Sequence, residues 1–292
     1  YTANFSFITN DGNYIGNDTI VFNVVNSTKG SFKINVEDIV YGDSFIINVT
    51  DAIGVNDEHL NGTVIVTINN KNYDVNINNG SGFKVVSDVL PVDGYTVSAS
   101  LTVPNYDVMI NSCSFSVNKA DCSFVISVVD VPYYGGFTVN VTDAKGVLGE
   151  GLNGTIRFVV NGTPYIFSIA DGEGYKHFDT ILPVKEYDLV ANFTTPVNYN
   201  VAYNSTSFNV IPANGSFVIT VEDIVYGDAF IIEVVDAKGM FGENLTGLLN
   251  VTVNGEDYEV RIVKGNGSLI VGDILPVDEY SVDASLIIPN YN

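Results

Sequence analysis

Apolar and variable positions alternate along most of the chain, with the two-residue period of half-buried β-strands. In one such segment Val64, Val66 and Ile68 are apolar. The intervening position is Ile65 here but Arg157 and Asn250 in the two matching segments, so it varies freely. One face of this strand is therefore held apolar and predicts a core face. The pair Asn69-Asn70 follows it and predicts a tight hairpin, because both residues tolerate positive φ. Since helical spacing is not sustained anywhere, the pattern predicts an all-β chain.

The same pattern returns about every 92 residues. The strand at 64–68 recurs at 156–160 and 249–253, and a Leu-Pro-Val-x-x-Tyr block at 90–95 recurs at 182–187 and 275–280. With strands about ten to twelve residues apart and turns between them, each repeat predicts an antiparallel sandwich of about seven strands. We therefore predict tandem immunoglobulin-like antiparallel β-sandwich modules in an elongated array.

Module boundaries follow from aligning the repeats. Residues 1–30 match the last two strands of a preceding module, residues 31–120 and 121–213 are full modules, and residues 214–292 are a module that lacks its final strand. The short linkers predict semi-rigid neighbours. A missing strand would leave an open apolar groove and unpaired backbone groups. Two sources of that strand stay open: a continuation of the array, or the segment Ile20 to Val25 of a neighbouring molecule, added by strand exchange.

Tyr95, Tyr187 and Tyr280 each open the penultimate strand of a module, directly after a corner. Immunoglobulin-type sandwiches place a tyrosine corner there, in which the hydroxyl bonds to upstream backbone. We assign these three tyrosines that structural role. The chain has no tryptophan and no cysteine pair between sheets, so aliphatic packing must hold the core.

Two cysteines, Cys113 and Cys122, lie near the first boundary between full modules. If the chain runs straight between them, their Cα atoms lie beyond disulfide reach. Free thiols or an interchain bridge are therefore favoured over a disulfide within the chain.

A formal net charge of −22 and a pI near 4.1 argue against nucleic acid and against an anionic membrane surface. Cations or a basic partner stay possible. No run of about eighteen apolar residues occurs, so we expect no direct membrane span in this stretch.

Asn-x-Ser/Thr motifs are about three times as frequent as chance predicts for this composition. This enrichment indicates selection for glycan acceptors. The alternative is that an Asn- and Thr-rich sheet surface produces the motif by composition alone. The candidate acceptors are Asn4, Asn17, Asn26, Asn48, Asn61, Asn79, Asn140, Asn153, Asn161, Asn192, Asn204, Asn214, Asn244, Asn250 and Asn266.

Carboxylates recur at matched positions of the modules. They are Asp38, Asp130 and Asp223; Asp51, Asp143 and Asp236; and Asp88, Asp179 and Asp273. Calcium would need six to eight oxygens drawn together, and no Asp-x-Asp-x-Asp-Gly loop is present. Since the Asp51 group precedes a glycine by three residues, we favour a β-turn role for it over calcium. We expect no other cofactor and no metal ligands.

Catalysis needs one place where unlike groups converge, whereas this chain copies one structural unit. No Gly-x-Ser-x-Gly motif occurs. We therefore expect no enzyme and no catalytic residues.

Several motifs together resemble a known family. They are Tyr41-Gly42-Asp43 and Tyr226-Gly227-Asp228, the Asp-Ala-x-Gly and Leu-Pro-Val-x-x-Tyr blocks, and Pro104-Asn105-Tyr106 and Pro289-Asn290-Tyr291. Across essentially the whole chain this resembles the bacterial Ig-like repeats of large adhesin-like surface proteins of methanogenic archaea. The resemblance implies secretion to the cell surface, glycosylation and long repeat arrays. The middle module departs from it at 132–136, where the Tyr-Gly-Asp block is lost.

Repeat organisation and resemblance together predict a structural stalk. We expect a cell-surface adhesin or fibre segment that projects a binding tip or self-associates. Its partners would be a host or neighbouring-cell surface, or copies of itself. The alternative is a carbohydrate-binding surface module. It would stack tyrosines that we expect to be exposed on sugar rings; these are Tyr133, Tyr134, Tyr199 and Tyr203.

Overall fold

The structure is a computed structural model that describes residues 1–12, 15–195 and 197–292, with the side chain of residue 15 left out. These residues form strands, turns and loops. No helical segment with the length and hydropathy of a bilayer span occurs among them.

The strands follow the repeat. Residues 1–30 contain β1 (Thr2–Ile8) and β2 (Ile15–Val21). Residues 31–120 contain β3 (Ser31–Asn35), β4 (Ile39–Val40), β5 (Phe45–Ile53), β6 (Gly62–Ile68), β7 (Lys71–Ile77), β8 (Gly82–Val86), β9 (Gly94–Leu101) and β10 (Met109–Asn118). Residues 121–213 contain β11 (Ser123–Val128), β12 (Val131–Pro132), β13 (Phe137–Lys145), β14 (Gly154–Val160), β15 (Thr163–Ile169), β16 (Gly174–Phe178), β17 (Lys185–Thr194) and β18 (Ala202–Ile211). Residues 214–292 contain β19 (Gly215–Val221), β20 (Phe230–Gly239), β21 (Gly247–Val253), β22 (Glu256–Ile262), β23 (Gly267–Val271) and β24 (Val282–Ile287).

Two sheets make each full sandwich. In residues 31–120 the strand orders are β3-β5-β8 and β4-β10-β9-β6-β7, and in residues 121–213 they are β11-β13-β16 and β12-β18-β17-β14-β15. Neighbouring strands are antiparallel except that the short β4 and β12 pair parallel with β10 and β18. Consecutive strands therefore cross between two facing sheets, as in immunoglobulin-like sandwiches. The predicted all-β, immunoglobulin-like fold is confirmed.

The core consists of the inward members of the alternating strands. Ile47, Val64 and Val97 are fully buried, and each contributes roughly 1.5–3 kcal/mol by leaving water. A phenylalanine at the start of the second long strand is also buried in every sandwich, as Phe45, Phe137 and Phe230. Because these rings sit at one site, the three cores are built on one plan.

Asp51, Asp143 and Asp236 lie inside strands rather than in turns. Each has a φ of 52°, in the left-handed region. Where β3 pairs with β5, the register shifts between Ser31 and Lys33, so that two residues of β5 oppose one of β3. The predicted β-turn role is therefore wrong: the three aspartates form β-bulges, in which the strand absorbs an extra residue by taking positive φ.

The third sandwich has one narrower sheet. Its strand orders are β19-β20-β23 and β22-β21-β24, so the second sheet has three strands where its counterparts have five. Residues 224–225, which align with β4 and β12, form no strand. Several inward side chains are only partly buried as a result; these are Phe217, Ile219, Val282, Ala284 and Leu286.

At the other end of the chain, β1 and β2 pair with each other antiparallel and form a sheet of two strands. Both faces of this hairpin carry exposed apolar side chains. Phe5 is 55% and Ile20 53% exposed on one face, and Ile8 is 66% and Val21 72% exposed on the other. A two-stranded sheet without a packed face is only marginally stable by itself.

The chain forms two compact units. One comprises Tyr1–Ala120 with Val197–Tyr199, and the other comprises Asp121–Pro196 with Asn200–Asn292. The second unit thus contains two sandwiches. The short segment Val197–Tyr199 belongs with the first unit, although the repeat assigns it to the second module. The module boundaries drawn from the sequence stay predictions.

Candidate functional site

Each predicted corner tyrosine donates its hydroxyl to the proline carbonyl oxygen four residues earlier. The O–O distance is 2.8 Å for Tyr95, 2.8 Å for Tyr187 and 2.9 Å for Tyr280. In the full sandwiches a phenylalanine of the last strand stacks on the corner ring: Phe115 on Tyr95 at 5.5 Å and Phe208 on Tyr187 at 5.6 Å between centroids. Tyr280 lies in the sheet that lacks this strand and is only half-buried.

Asp38 and Asp130 fix the same last strand by its backbone. The Asp38 carboxylate accepts the amide of Ser116 at 2.6 Å, and the Asp130 carboxylate accepts the amide of Asn209 at 2.7 Å. The matched residue of the third sandwich is Asp223, which is exposed. The carboxylates of Asp38 and Asp130 therefore each accept one backbone amide of the last strand, a role that the sequence did not reveal.

A groove of about 430 Å³ occupies the place of the last strand in the third sandwich. It lies between residues 224–225 and β24, and we call it the edge groove. Its lining includes Tyr226, Phe230, Leu275, Tyr280 and Val282. In the full sandwiches Phe115 and Phe208 pack on the rings that correspond to Phe230 and Tyr280. Four acidic residues, Glu222, Asp223, Asp278 and Glu279, line the edge groove as well.

Within the second unit, the loop after β24 contacts the sandwich that precedes it. The Asn290 side-chain oxygen accepts the amide of Val184 at 3.0 Å. The Tyr291 ring meets the Tyr133 ring edge-on, with 5.3 Å between centroids and 89° between planes. The backbone of Ala213 pairs with this loop and donates to the Asn290 carbonyl at 3.0 Å. We call these three interactions the junction contacts.

The first unit contains the same junction contacts. The Asn198 side-chain oxygen accepts the amide of Val92 at 3.1 Å, and Tyr199 meets Tyr41 edge-on at 5.4 Å and 83°. Ala120 donates its amide to the Asn198 carbonyl at 3.0 Å. An edge-on aromatic pair contributes about 0.5–1.5 kcal/mol beyond its buried area. The block x-Asn-Tyr occurs as Pro104-Asn105-Tyr106, Val197-Asn198-Tyr199 and Pro289-Asn290-Tyr291. The same geometry at the second and third copies indicates that the block serves the junction contacts, which its recurrence in the sequence could have suggested.

The x-Asn-Tyr block of the first full module has half of this arrangement. Ser27 donates its amide to the Asn105 carbonyl at 2.8 Å, and Ser27 forms a parallel bridge with Tyr106. The Tyr106 hydroxyl donates to the Glu58 carboxylate and accepts the amide of Val55 at 2.9 Å. The hydrogen bond between Tyr106 and Glu58 lowers the pKa of Glu58 and raises the pKa of Tyr106. Asn105 is exposed, and its φ of 69° is left-handed.

None of the candidate glycan acceptors is buried. Asn4, Asn17, Asn26, Asn61, Asn79, Asn153, Asn161, Asn214, Asn244 and Asn266 are exposed, and Asn48, Asn140, Asn192, Asn204 and Asn250 are partly exposed. Asn204 differs from the rest because its Nδ2, the atom that would carry a glycan, donates to the Phe124 carbonyl at 2.6 Å. The oxygens of Asn61 and Asn153 each accept a loop amide and so have a structural use as well.

The recurring carboxylates pair with local partners. Asp88 accepts the Tyr73 hydroxyl at 2.7 Å and forms an ion pair with Lys71. Lys71, and next Tyr73, lower the pKa of Asp88 by stabilising its charged form. Asp143 pairs with Lys145 at 2.7 Å. Over the described ranges no three His, Cys, Asp or Glu side chains come together as a metal group would. Calcium binding at these positions stays an untested prediction.

Cys113 and Cys122 are free, half-buried thiols, and burial raises the pKa of each. The four tyrosines of the carbohydrate alternative differ in exposure. Tyr203 is 73% exposed, Tyr134 is 41% exposed and Tyr199 is 5% exposed. The expectation that Tyr199 is exposed is therefore wrong, because its ring packs against Tyr41.

No protein-family model and no curated protein matches the chain. Solved structures do. A tetra-tandem repeat from the extending region of a large adhesion protein is similar over 100% of this chain and 78% of that chain, with 19% identity and a TM-score of 0.53. A structure concerning host-cell-surface retention of a bacterial ice-binding adhesin aligns over 85% of this chain and 88% of that chain, with 15% identity and a TM-score of 0.32. Sidekick-1 immunoglobulin domains 1–5 align over 91% of this chain and 60% of that one, with 8% identity and a TM-score of 0.39. The similarity to the tetra-tandem repeat supports the β-sandwich fold described above.

Proposed function

We propose that this chain is a non-enzymatic stalk segment of an extracellular, cell-surface adhesin. The observation that carries the proposal is the recurrence of the junction contacts, with matching distances and angles, in both compact units. Side chains that join one sandwich to the next are useful in a spacer, whereas a single binding or catalytic module does not need them. The structural likeness to an extending region of a large adhesion protein supports the same reading.

The stalk would hold a binding tip away from the cell and bring it to a host or neighbouring-cell surface. Because each sandwich buries its own core, the unit can be repeated without a limit set by folding. The net charge of −22 would keep neighbouring stalks apart by mutual repulsion. On the sequence resemblance, we propose that the parent protein is of the methanogenic-archaeal adhesin-like type.

Two measurements test the stalk. Antibodies against this chain should label intact cells of the source organism, and protease added outside should remove the label. Pulling single molecules by their ends should give evenly spaced unfolding steps, each releasing about 300 Å for about 90 residues at roughly 3.3–3.6 Å per residue. Label found only after cell lysis, or steps without a common spacing, would refute the stalk.

We further propose that the stalk is glycosylated at its exposed Asn-x-Ser/Thr motifs. The exposure of ten acceptors supports this, and the Nδ2 hydrogen bond of Asn204 predicts that this site stays unmodified. Glycopeptide mass spectrometry on native material should find glycans at sites such as Asn61 and Asn266. An unmodified mass, or full occupancy of Asn204, would contradict the respective statement.

A carbohydrate-binding module is the alternative function. Its support is the exposure of Tyr203 and Tyr134, but Tyr133 and Tyr199 are engaged with Tyr291 and Tyr41 and offer no flat platform. Binding of the chain to a glycan array, lost in Tyr203→Ala, would favour this alternative over a plain stalk.

A further inference from the structure

We infer that three asparagine-linked glycans of this chain each lay their first sugar on an aromatic ring of the neighbouring strand. The pairs of acceptor and ring are Asn48 with Phe83, Asn140 with Tyr175, and Asn192 with Tyr203. The inference rests on the proposed glycosylation, extends it to three partly exposed acceptors and names what their sugars contact.

Two of the pairs lie at the same place in the two full sandwiches. Asn48 of β5 is directly opposite Phe83 of β8, and Asn140 of β13 is directly opposite Tyr175 of β16. All four side chains are on the outer face of their sheet, because the residues beside Asn48 and Asn140 on the central strands are buried. Directly opposite residues have Cβ atoms about 4.5–5.5 Å apart. A sugar linked to either asparagine therefore begins beside the ring.

The third pair lies on the other sheet of the second sandwich. Asn192 of β17 is directly opposite Tyr203 of β18. Asn192 points outward, since Ala191 and Phe193 on either side of it are buried. The same juxtaposition of acceptor and ring thus occurs at two different positions of the sandwich.

The three rings are left in water by the protein itself. Phe83 is 68% exposed, Tyr175 is 78% exposed and Tyr203 is 73% exposed. Of the other aromatic side chains described in residues 31–292, only Tyr226, at 68%, is as exposed. A large ring in such a position forgoes the stabilisation of burial unless another group covers it.

The ring is present only where an acceptor asparagine faces it. In the third sandwich Glu233 and Ser268 replace the first kind of pair. In the first sandwich Ser100 and Ile110 stand where the second has Asn192 and Tyr203. A ring that served the sheet alone would have no reason to follow the acceptor.

The chemistry of a sugar fits this contact. A pyranose presents C–H groups on its faces and hydroxyls at its rim, so a face can pack on an aromatic ring while the hydroxyls stay in water. In the modification itself, Nδ2 of the asparagine bonds to C1 of the first sugar and gives up one proton, and the phosphate group of an activated glycosyl donor leaves. The linked amide is neutral and keeps one N–H, so no charge separates the sugar from the ring.

The contact also protects two exposed strand edges. β8 and β16 are the edge strands of their three-stranded sheets, and an apolar ring on an open edge favours pairing with another chain. A sugar over Phe83 or Tyr175 would cover the ring and block the approach of a further strand. At Tyr203 the chain's own sugar would occupy the ring that a carbohydrate-binding module would offer to other glycans.

Hydroxyl-radical footprinting of the glycosylated chain tests the inference, because the radical oxidises phenylalanine and tyrosine according to their exposure. Thr50→Val, Thr142→Val and Thr194→Val each remove one acceptor motif at an exposed threonine and leave the asparagine and the ring unchanged. In each variant the facing ring should react about fivefold faster than in the wild-type chain, which corresponds to a contact of roughly 1 kcal/mol. The other two rings are the controls and should keep their wild-type rates. Equal rates at the facing ring would overturn the inference.

NMR of the sugar distinguishes stacking from simple crowding. The ring current of a stacked aromatic moves the protons of the sugar upfield, so the first sugar at Asn140 should show shifted signals. The first sugar at Asn250, which faces Glu259 and Ser285, should not. Tyr175→Ser keeps the acceptor motif and should return the Asn140 sugar to unshifted positions. Unshifted signals in the wild-type chain would contradict stacking.

Mass spectrometry separates this outcome from that for the glycosylation. Unmodified Asn48, Asn140 and Asn192 would refute both proposals at these sites. Modified asparagines whose facing rings react as fast as in the threonine variants would refute the stacking alone and leave the glycosylation standing. Binding of an added glycan by the glycosylated chain, lost in Tyr203→Ala, would refute the inference at that ring.

Discussion

At the residue scale, the fold depends on a few polar atoms placed where the sheets turn. The corner tyrosine ties the Leu-Pro-Val segment to the start of the next strand through one hydrogen bond. The last-strand aspartate does the same for one backbone amide. Such groups contribute modestly when they are paired, but a buried partner left unpaired is costly.

Tyr187→Phe removes one corner hydroxyl and keeps the buried ring. We expect a loss of about 1 kcal/mol, because the Pro183 carbonyl loses its donor. For one sandwich this corresponds to a decrease in Tm of about 4–8 °C, which calorimetry of the whole chain can resolve. Tyr175→Phe, at a ring that is 78% exposed, is the control and should leave the Tm unchanged.

Asp88 gives the first sandwich a dependence on pH. Since Lys71 and Tyr73 lower the pKa of Asp88 in the folded state, its stabilising effect is fully present above the unfolded pKa of about 4. The effect is lost as the pH falls through the lower, folded pKa. Asp88→Asn should therefore lower the Tm near neutral pH and flatten the decrease of the Tm that acidification below about pH 4 causes.

The matched control for Asp88→Asn is Asp74→Asn, an exposed carboxylate on the neighbouring strand β7. It removes the same charge from a strongly acidic chain, so it accounts for general repulsion. If both variants show the same pH profile, the local ion pair and the Tyr73 hydrogen bond are not the cause.

At the scale of elements, one irregularity is copied in all three sandwiches. The bulge in β5, β13 and β20 puts an aspartate at a φ of 52°, where a residue with a Cβ is strained unless its side chain is short and polar. The bulge is followed by an inward alanine that is fully buried in each sandwich. The extra residue shifts the alternation of inward and outward side chains by one, so that core positions on both sides of the bulge face inward.

Asp143→Ala should destabilise the second sandwich by about 1–2 kcal/mol, because alanine tolerates the left-handed region poorly. Asp143→Asn is the matched control, since asparagine accepts this backbone and loses only the exposed ion pair with Lys145. Urea unfolding followed by circular dichroism measures both. Equal losses would mean that the ion pair, and not the backbone, explains the aspartate.

At the scale of the whole molecule, the repeat supplies contacts as well as cores. The x-Asn-Tyr blocks at Asn198 and Asn290 pair by backbone with Ala120 and Ala213, and their side chains supply the rest of the junction contacts. A stalk needs such contacts at every junction, and they cost only two residues of each repeat.

Asn290→Ala should free the Val184 amide. Hydrogen exchange of that amide should accelerate about fivefold, which corresponds to the loss of one hydrogen bond of about 1 kcal/mol. The Val92 amide, which Asn198 holds at 3.1 Å, is the control within the same molecule and should exchange as before. Unchanged exchange at Val184 would show that the junction contact does not persist in solution.

Much of this architecture could be predicted from the sequence because the signals are local and repeated. The alternation around Val64 and Val66 decides which face is buried, and three copies of the pattern average out its exceptions. The hydroxyl of Tyr95 reaches a carbonyl only four residues away, so the corner can be inferred from a short motif. In contrast, the sequence predicted a turn at Asp51, because an aspartate three residues before a glycine is typical of turns. The sequence does not show that Asp51 lies in a strand that pairs with β3.

The sequence by itself determined the strands, their inward faces, the turns and the corner tyrosines, since these depend on neighbours within about ten residues. Only the tertiary structure decided what Asp38, Asn198 and Tyr199 contact, because their partners lie 78, 106 and 158 positions away. Those contacts depend on how sheets and loops meet in space, which no short-range pattern encodes.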